Sequence, residues 1–468
     1  MAVSTPAGQA AANATNNGIS VQLGPVLSRA GEGTIYEIED RPDAVAKIFH
    51  PELNRLAEKL DKVADMVYCQ PSGATQEDGF TVLTWPTELV RQHDRPIGYV
   101  MPRIDTDTAV EIHALSNPAS RANPVQNSPQ WPARASWNHL LTVAANLCVA
   151  VDAVHAVDAV VGDFQERNIL VADTCRVTLV DCDSMQFIGS AGKVYACAVG
   201  RPEFSAPEML NQDLATYIRD KQSDLFALAI HIYLLLMAGN HPFLRGNWLG
   251  AGEQPGAMEL AKTGDWAGGK HSRLETHALA PPITFLPKPI QELFARAFTH
   301  GAEDPQARPS ATEWHAVLLE TTVQQCQRGS HEIPCGTVVC PWCAIEYERA
   351  RRRNELEARK GQLLKAPVLV VTPRTAGWNG SAAQSGRTGP LVTRRDAAHG
   401  IGVGPSKPKV KPPFRSTDYT KRRIEPDVTT SDDVGRRLYR LFLAFAIPIG
   451  LLIIAMIIWV AVVTVQNI

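Results

Sequence analysis

Val161-Gly-Asp163-Phe-Gln165-Glu-Arg167-Asn168-Ile-Leu-Val171, with Val177-Thr-Leu-Val-Asp181-Cys-Asp183-Ser184 close behind it, is the stretch on which the fold turns. The apolar run Val177 to Val180 reads as a strand that ends at Asp181, and Asp163 and Asn168 lie in the loop ahead of it. Asp and Asn favour turns, so each alone marks only a loop edge. Two carboxylates and an amide in order around one apolar strand are nevertheless a frame for chemistry on a polar group.

Upstream, Leu27-Ser-Arg-Ala30-Gly31-Glu-Gly33-Thr-Ile-Tyr36 reads as strand, tight turn and strand, a shape in which small residues let backbone amides approach phosphates. A plain hairpin has the same pattern. What distinguishes this one is Lys47, fourteen residues after Gly33, carried by the apolar strand Ala44-Val-Ala-Lys47-Ile-Phe49.

The order of these residues resembles the eukaryotic-like Ser/Thr protein kinases over about residues 21–322. Ser205-Ala-Pro-Glu208 matches the end of an activation segment, Ser223-Asp224 opens an apolar helix, and Arg308-Pro-Ser stands where a partner for Glu208 belongs. The resemblance implies an α+β, bilobal kinase-like fold with a small β-rich lobe and a larger helical lobe. It implies that Ala30, Gly31 and Gly33 cover the phosphates of ATP, that Lys47 orients them, and that Asp163 directs the acceptor hydroxyl. Asn168 and Asp181 would hold Mg2+ (or Mn2+). Asp224 and the Glu208–Arg308 pair are read as structural, and His155 and His231, lying in apolar helical runs, as core residues.

Departures accompany the matches. Val161-Gly162 stand where His-Arg usually precede the catalytic Asp, so activity is expected not to require phosphorylation of the activation segment. Gln165 replaces a Lys, and Asp183 stands where a Gly is usual, either as an indirect magnesium ligand or as a turn cap. For the carboxylate that pairs with Lys47 the expectation is Glu58, on a helix starting near Pro51, with Glu52 the alternative. These departures motivate a competing reading as a nucleotide-binding pseudokinase scaffold; a small-molecule kinase is a third.

Cys326-x4-His331-x8-Cys340-Pro-Trp-Cys343 pairs a tight Cys knuckle with a further Cys and a His, the ligand set of a structural Zn2+ site, with Cys335 as the alternative fourth ligand. A kinase domain followed by such a cluster resembles bacterial kinases of tellurite-resistance-type phosphorylation modules. That resemblance implies a PPM-type phosphatase and a von Willebrand A-domain protein as partners, beside a protein substrate.

The rest bounds the setting. A hydrophobic share of 45%, 20% charged residues and a net charge of -2 are those of a globular protein without a nucleic-acid signature. Residues 1–20 read as a disordered tail without the features of a secretory signal, 21–104 as the small lobe, 105–322 as the helical lobe, 323–346 as the Cys/His module and 347–364 as a charged helix. Residues 365–437 are rich in Pro, Gly and basic residues and read as a flexible linker. Leu441 to Val465 carries no charge and is longer than the roughly 20 residues that cross a bilayer, which predicts a transmembrane helix. Arg436, Arg437 and Arg440 before it place the kinase side in the cytoplasm, at the membrane lipid bilayer.

Overall fold

The computed structural model describes residues 14–16 and 19–365. The linker beyond Lys365 and the apolar run from Leu441 to Val465 lie outside the described residues.

Seven strands form the first layer: β1 (Ala14–Asn16), β2 (Ile19–Val21), β3 (Leu23–Arg29), β4 (Gly33–Ile38), β5 (Ala44–Phe49), β6 (Glu88–Gln92) and β7 (Arg95–Pro102). They lie in the order β2-β1-β6-β7-β5-β4-β3. The first pair falls inside the expected tail; its partner is tertiary, since Thr15 of β1 pairs with Arg91 of β6. β6 and β7 turn through His93 and Asp94, both with positive φ, the backbone of a two-residue turn whose twist matches the strands it joins.

Helix α1 (Leu56–Tyr68) covers one face of this sheet. Its Leu56, Leu60, Val63 and Val67 recur at helical spacing and pack with Val45, Phe49, Leu89, Tyr99 and Met101. It starts at Leu56 and not near Pro51, because Arg55 takes a left-handed conformation that no helix can continue through.

The second layer is helical. Helix α2 (Trp137–His155) packs against α3 (Lys221–Leu236) and α4 (Ala311–Glu320). Ser136 and His139 close a reciprocal cap at the start of α2, as Ser310 and Glu313 do for α4. Along α3 every residue from Ser223 to Leu236 is buried, so this helix has no solvent face and reads as the axis of the core. Tyr233, Trp266, Phe294, Phe298 and Trp314 stack around it. Among the described residues α2 is the one helix long and apolar enough to cross a membrane, and its burial marks it as a core helix.

Between the layers run β8 (Ile169–Val171) and β9 (Val177–Leu179), paired antiparallel with Ile169 opposite Leu179. This hairpin is the segment quoted first; its second strand is the apolar run that ends at Asp181. A last hairpin, β10 (Val323–Gln325) with β11 (Glu332–Pro334), leads into α5 (Pro341–Lys365), which begins earlier than the charged helix expected over 347–364.

Candidate active site and metal centre

Strand β5 carries Lys47 inward, opposite Tyr99 of β7 in the sheet register. Only 6% of Lys47 is exposed. Its ammonium donates to both oxygens of Asp183 at 2.7 Å and to Asp181 Oδ1 at 3.1 Å. The Tyr99 hydroxyl donates to Asp183 Oδ1 at 2.6 Å. Burial by itself would lower the Lys47 pKa, but the two carboxylates outweigh it and raise it, so the ammonium stays charged. Burial likewise pushes the Asp183 carboxyl up, and Lys47 with Tyr99 more than reverses this, holding it at about 2.

The carboxylate on Lys47 is therefore Asp183, not Glu58. Glu58 binds Arg55 on the surface at 2.6 and 2.7 Å. Glu52 is exposed, in the turn ahead of α1. The reason is geometric: α1 starts a turn later than expected and points Glu58 to solvent, while Asp183 follows β9 directly into the space beneath Lys47. Among the described residues the Asp183 carboxylate accepts no backbone N–H, so it does not cap a turn; Lys47 and Tyr99 engage it instead.

Asp181 differs from its neighbour. It sits at φ 59° with a side chain 41% exposed. Burial of its surroundings and the nearby Asp183 raise its pKa against the pull of Lys47. On the other strand, Asn168 accepts the backbone N–H of Val180 at 3.0 Å, which sets it beside the Asp181 turn. The Asn168 amide donates to the Asp163 carbonyl at 2.9 Å and to Asp163 Oδ2 at 3.2 Å. Gln165 donates to that same oxygen at 2.6 Å. Asp163 Oδ1 has no hydrogen bond among the described residues. The structure thus brings Lys47, Asp163, Asn168 and Asp181 onto one framework of strands.

Gly33 starts β4 opposite Phe49, where a Cβ would lie 2.6 Å from the Ile48 carbonyl oxygen; only glycine permits this pairing. At Gly31 a Cβ would meet nothing. Ala30 precedes it in the turn joining β3 to β4. Between the glycines, Glu32 binds Lys59 of α1 at 2.6 Å.

The supports read from the sequence stand where they were placed. Asp224 accepts the N–H groups of Val161 and Gly162 at 2.7 and 3.0 Å and meets His155 Nε2 at 2.9 Å. Arg308, its side chain fully buried, makes a two-pronged pair with Glu208 at 2.7 Å on each arm. His231 donates to the Phe164 carbonyl at 2.8 Å, and burial lowers its pKa to about 4.

A second cluster lies at the end of α4 and the start of α5. Cys326, His331, Cys340 and Cys343 offer ligand atoms that all lie within 4.8 Å of one another. Cys326 Sγ and Cys343 Sγ are 3.6 Å apart, and His331 Nδ1 is 3.5 Å from Cys343 Sγ and 3.8 Å from Cys340 Sγ. A tetrahedron of ordinary Zn–S and Zn–N bonds has edges of roughly 3.5–3.8 Å, so the donors fit that ion. The far nitrogen of His331 meets Glu346 at 3.1 Å, the outer carboxylate that commonly orients a ligating imidazole. Cys335, the alternative fourth ligand, is exposed and outside the cluster.

With this geometry in place, comparison with known proteins is informative. The chain is 30% identical over 346 residues to Protein kinase YegI of Escherichia coli K12, covering 71% of this chain and 50% of that protein. Serine/threonine-protein kinase PknD of Mycobacterium tuberculosis is 28% identical over 220 residues, 45% of this chain and 29% of the relative. The relatives are protein kinases. Their similarity supports a bacterial Ser/Thr kinase-like family, and the mixed helix-and-sheet architecture fits a kinase-like α+β fold. The chain spans about half the length of the YegI relatives it matches. No protein-family model matches the chain.

Sequence reasoning missed Lys62, Tyr99, Arg219 and Glu346. Lys62 had one signal: a lysine beside the apolar stripe of an amphipathic helix. Tyr99 had a weaker one, its place on an inward strand. Arg219 and Glu346 had none, since each is recruited by residues distant in the chain or by a ligand's second nitrogen.

Proposed function

We propose that the chain is a protein serine/threonine kinase that transfers the ATP γ-phosphoryl group to a protein hydroxyl. The observation that carries this reading is the single framework joining Lys47, Asp163, Asn168 and Asp181. Lys47 orients the nucleotide phosphates under the Ala30–Gly33 turn. Asp163, with one oxygen fixed by Gln165 and Asn168, receives the acceptor hydroxyl on the other. Asp181 and Asn168 are the residues that would hold Mg2+ or Mn2+, and that ion would neutralise charge on the transferring phosphoryl group. Positioning and electrostatics supply the rate.

Zn2+ at Cys326, His331, Cys340 and Cys343 is proposed as structural, because four protein donors leave no open position. The apolar run from Leu441 to Val465 supports anchoring in the bilayer with the kinase on the cytoplasmic side. The tellurite-module resemblance is the support for a PPM-type phosphatase and a von Willebrand A-domain protein as partners.

The deciding measurement is phosphate transfer from radiolabelled Mg-ATP to a generic protein substrate by the full chain, beside Asp163→Asn. Transfer in the parent and its loss in Asp163→Asn is the expected result. Nucleotide binding without transfer in either protein would replace this reading with that of a scaffold.

A further inference from the structure

On helix α1, Lys62 is buried, with 6% of the residue exposed. Among the described residues no carboxylate pairs with it. Its ammonium donates to the Asp183 carbonyl at 2.7 Å and to the Met185 carbonyl. A buried ammonium satisfied by neutral carbonyls is costly, and burial draws its pKa down to about 8. An alternative use for that position exists one turn earlier: Glu58, four residues before Lys62, has the charge expected of a partner for Lys47 but faces solvent.

Asp183 is consequently gripped twice. Its backbone is held by helix α1 through Lys62, and its carboxylate by β5 and β7 through Lys47 and Tyr99. The carboxylate that steadies Lys47 has moved from the helix to the loop after β9, and the helix carries the cation.

We propose that Lys62 is a positioning residue for phosphoryl transfer: by seating the loop at Asp183 it fixes the Asp183 carboxylate on Lys47 and sets the neighbouring Asp181. A helix-borne carboxylate would link the same three elements with the charges reversed. This inference rests on the kinase reading above and deepens it.

The test uses the full chain, with folding of each variant checked by circular dichroism and melting. Lys62→Met should lower kcat on the order of 100-fold, the scale of loss when catalytic groups shift by about an ångström, and weaken Mg-ATP binding about tenfold. Lys62→Arg, which keeps a donor for the two carbonyls, should recover most of both. The charge exchange is the sharper arm. Lys62→Glu sets two carboxylates together and Asp183→Gly leaves Lys47 with Asp181 alone, so each should be as damaging as Lys62→Met. Their combination should recover at least about tenfold over either single change, because it returns the carboxylate to the helix. Parent-like kcat and nucleotide affinity in Lys62→Met, or losses that simply multiply in the double variant, would overturn the proposal. If the parent transfers no phosphate yet binds Mg-ATP, the kinase reading falls. The affinity series then decides the role of Lys62: equal affinity in parent and Lys62→Met rejects it, and weaker binding relieved by Lys62→Arg upholds it.

Discussion

Gly162 and Arg219 compete for one volume: a Cβ on Gly162 would lie 2.7 Å from Arg219 Nη1. Gly162 also sits at φ +70°, a conformation that side chains resist. Arg219, only 2% exposed, donates through Nη2 to the carbonyls of Cys197 at 3.1 Å and Val199 at 2.5 Å, and Gln186 clamps its backbone from both sides. The arginine missing before Asp163 has a counterpart here, supplied from the segment ahead of α3 and tied to the backbone beneath the activation segment.

Gly162→Ala should therefore be disproportionate for a single methyl. Displacing Arg219 and straining φ together predict a loss of about 2–4 kcal/mol in urea unfolding, with phosphate transfer falling alongside. A change under about 0.5 kcal/mol would show that the two residues do not share the space.

Arg219 is buried and ties down the backbone at Cys197 and Val199, so turnover is expected without a phosphate on this segment. Phosphatase-treated protein, verified by intact mass, should keep at least half of its turnover. Loss of all turnover on dephosphorylation would contradict this arrangement.

Glu58→Ala should leave transfer within about twofold of the parent, since it removes only a surface pair with Arg55, worth roughly 0–1 kcal/mol. Asp183→Asn, nearly isosteric, should cost far more, because it leaves the buried Lys47 ammonium short of a counter-charge, a defect of about 3–5 kcal/mol. Equal effects of the two substitutions would restore Glu58 as the partner of the lysine.

Buried histidines set the acid limit of the helical layer. Burial lowers His231 and His241 to about 4, against an ordinary 6.5, while each keeps a backbone carbonyl partner. A depressed folded-state pKa means the unfolded chain takes up protons that the fold refuses. Stability is then full above about pH 7 and is lost as the pH falls from 6.5 towards 4, by up to roughly 3 kcal/mol per histidine. Melting temperature should decline through that window, less steeply in His231→Gln. A flat profile in the parent would show that these rings take up protons in the fold as readily as in the unfolded chain.

At the Cys/His cluster, Cys340→Ser or Cys343→Ser should abolish bound zinc measured by elemental analysis, and chelation of the parent should lower its melting temperature. Cys335→Ser should do neither. Full zinc stoichiometry in the Cys343→Ser protein would sink the site.

Much of this architecture was legible in the chain because it is written locally. The stretch from Asp163 to Asp181 encodes a loop and an apolar strand that ends in a carboxylate, and the apolar period of α1 encodes its sheet-facing side. What escaped was set by tertiary geometry. The choice between Glu58 and Asp183 depends on where α1 starts, which a left-handed Arg55 decides, and on how far the β9 turn reaches under Lys47. Strands β1 and β2 escaped for the same reason: three-residue strands are stable only where an edge such as β6 receives them. Buried charge whose partners are distant in the chain, as in Arg219, carries no pattern that a linear reading detects.

The Cys/His cluster has a mechanical side. Its donors come from the hairpin at β10 and β11 and from the first turn of α5, and Glu346 on the next turn braces His331. Trp342 adds an edge contact with Phe285 and an N–H bond to the Glu332 carbonyl at 3.0 Å. A helix pinned this way at its root is a welded joint and not a hinge. Over 25 residues α5 extends roughly 37 Å from that weld. With Zn2+ bound as proposed, its removal would free the root to swivel, turning a strut of fixed bearing into a tether.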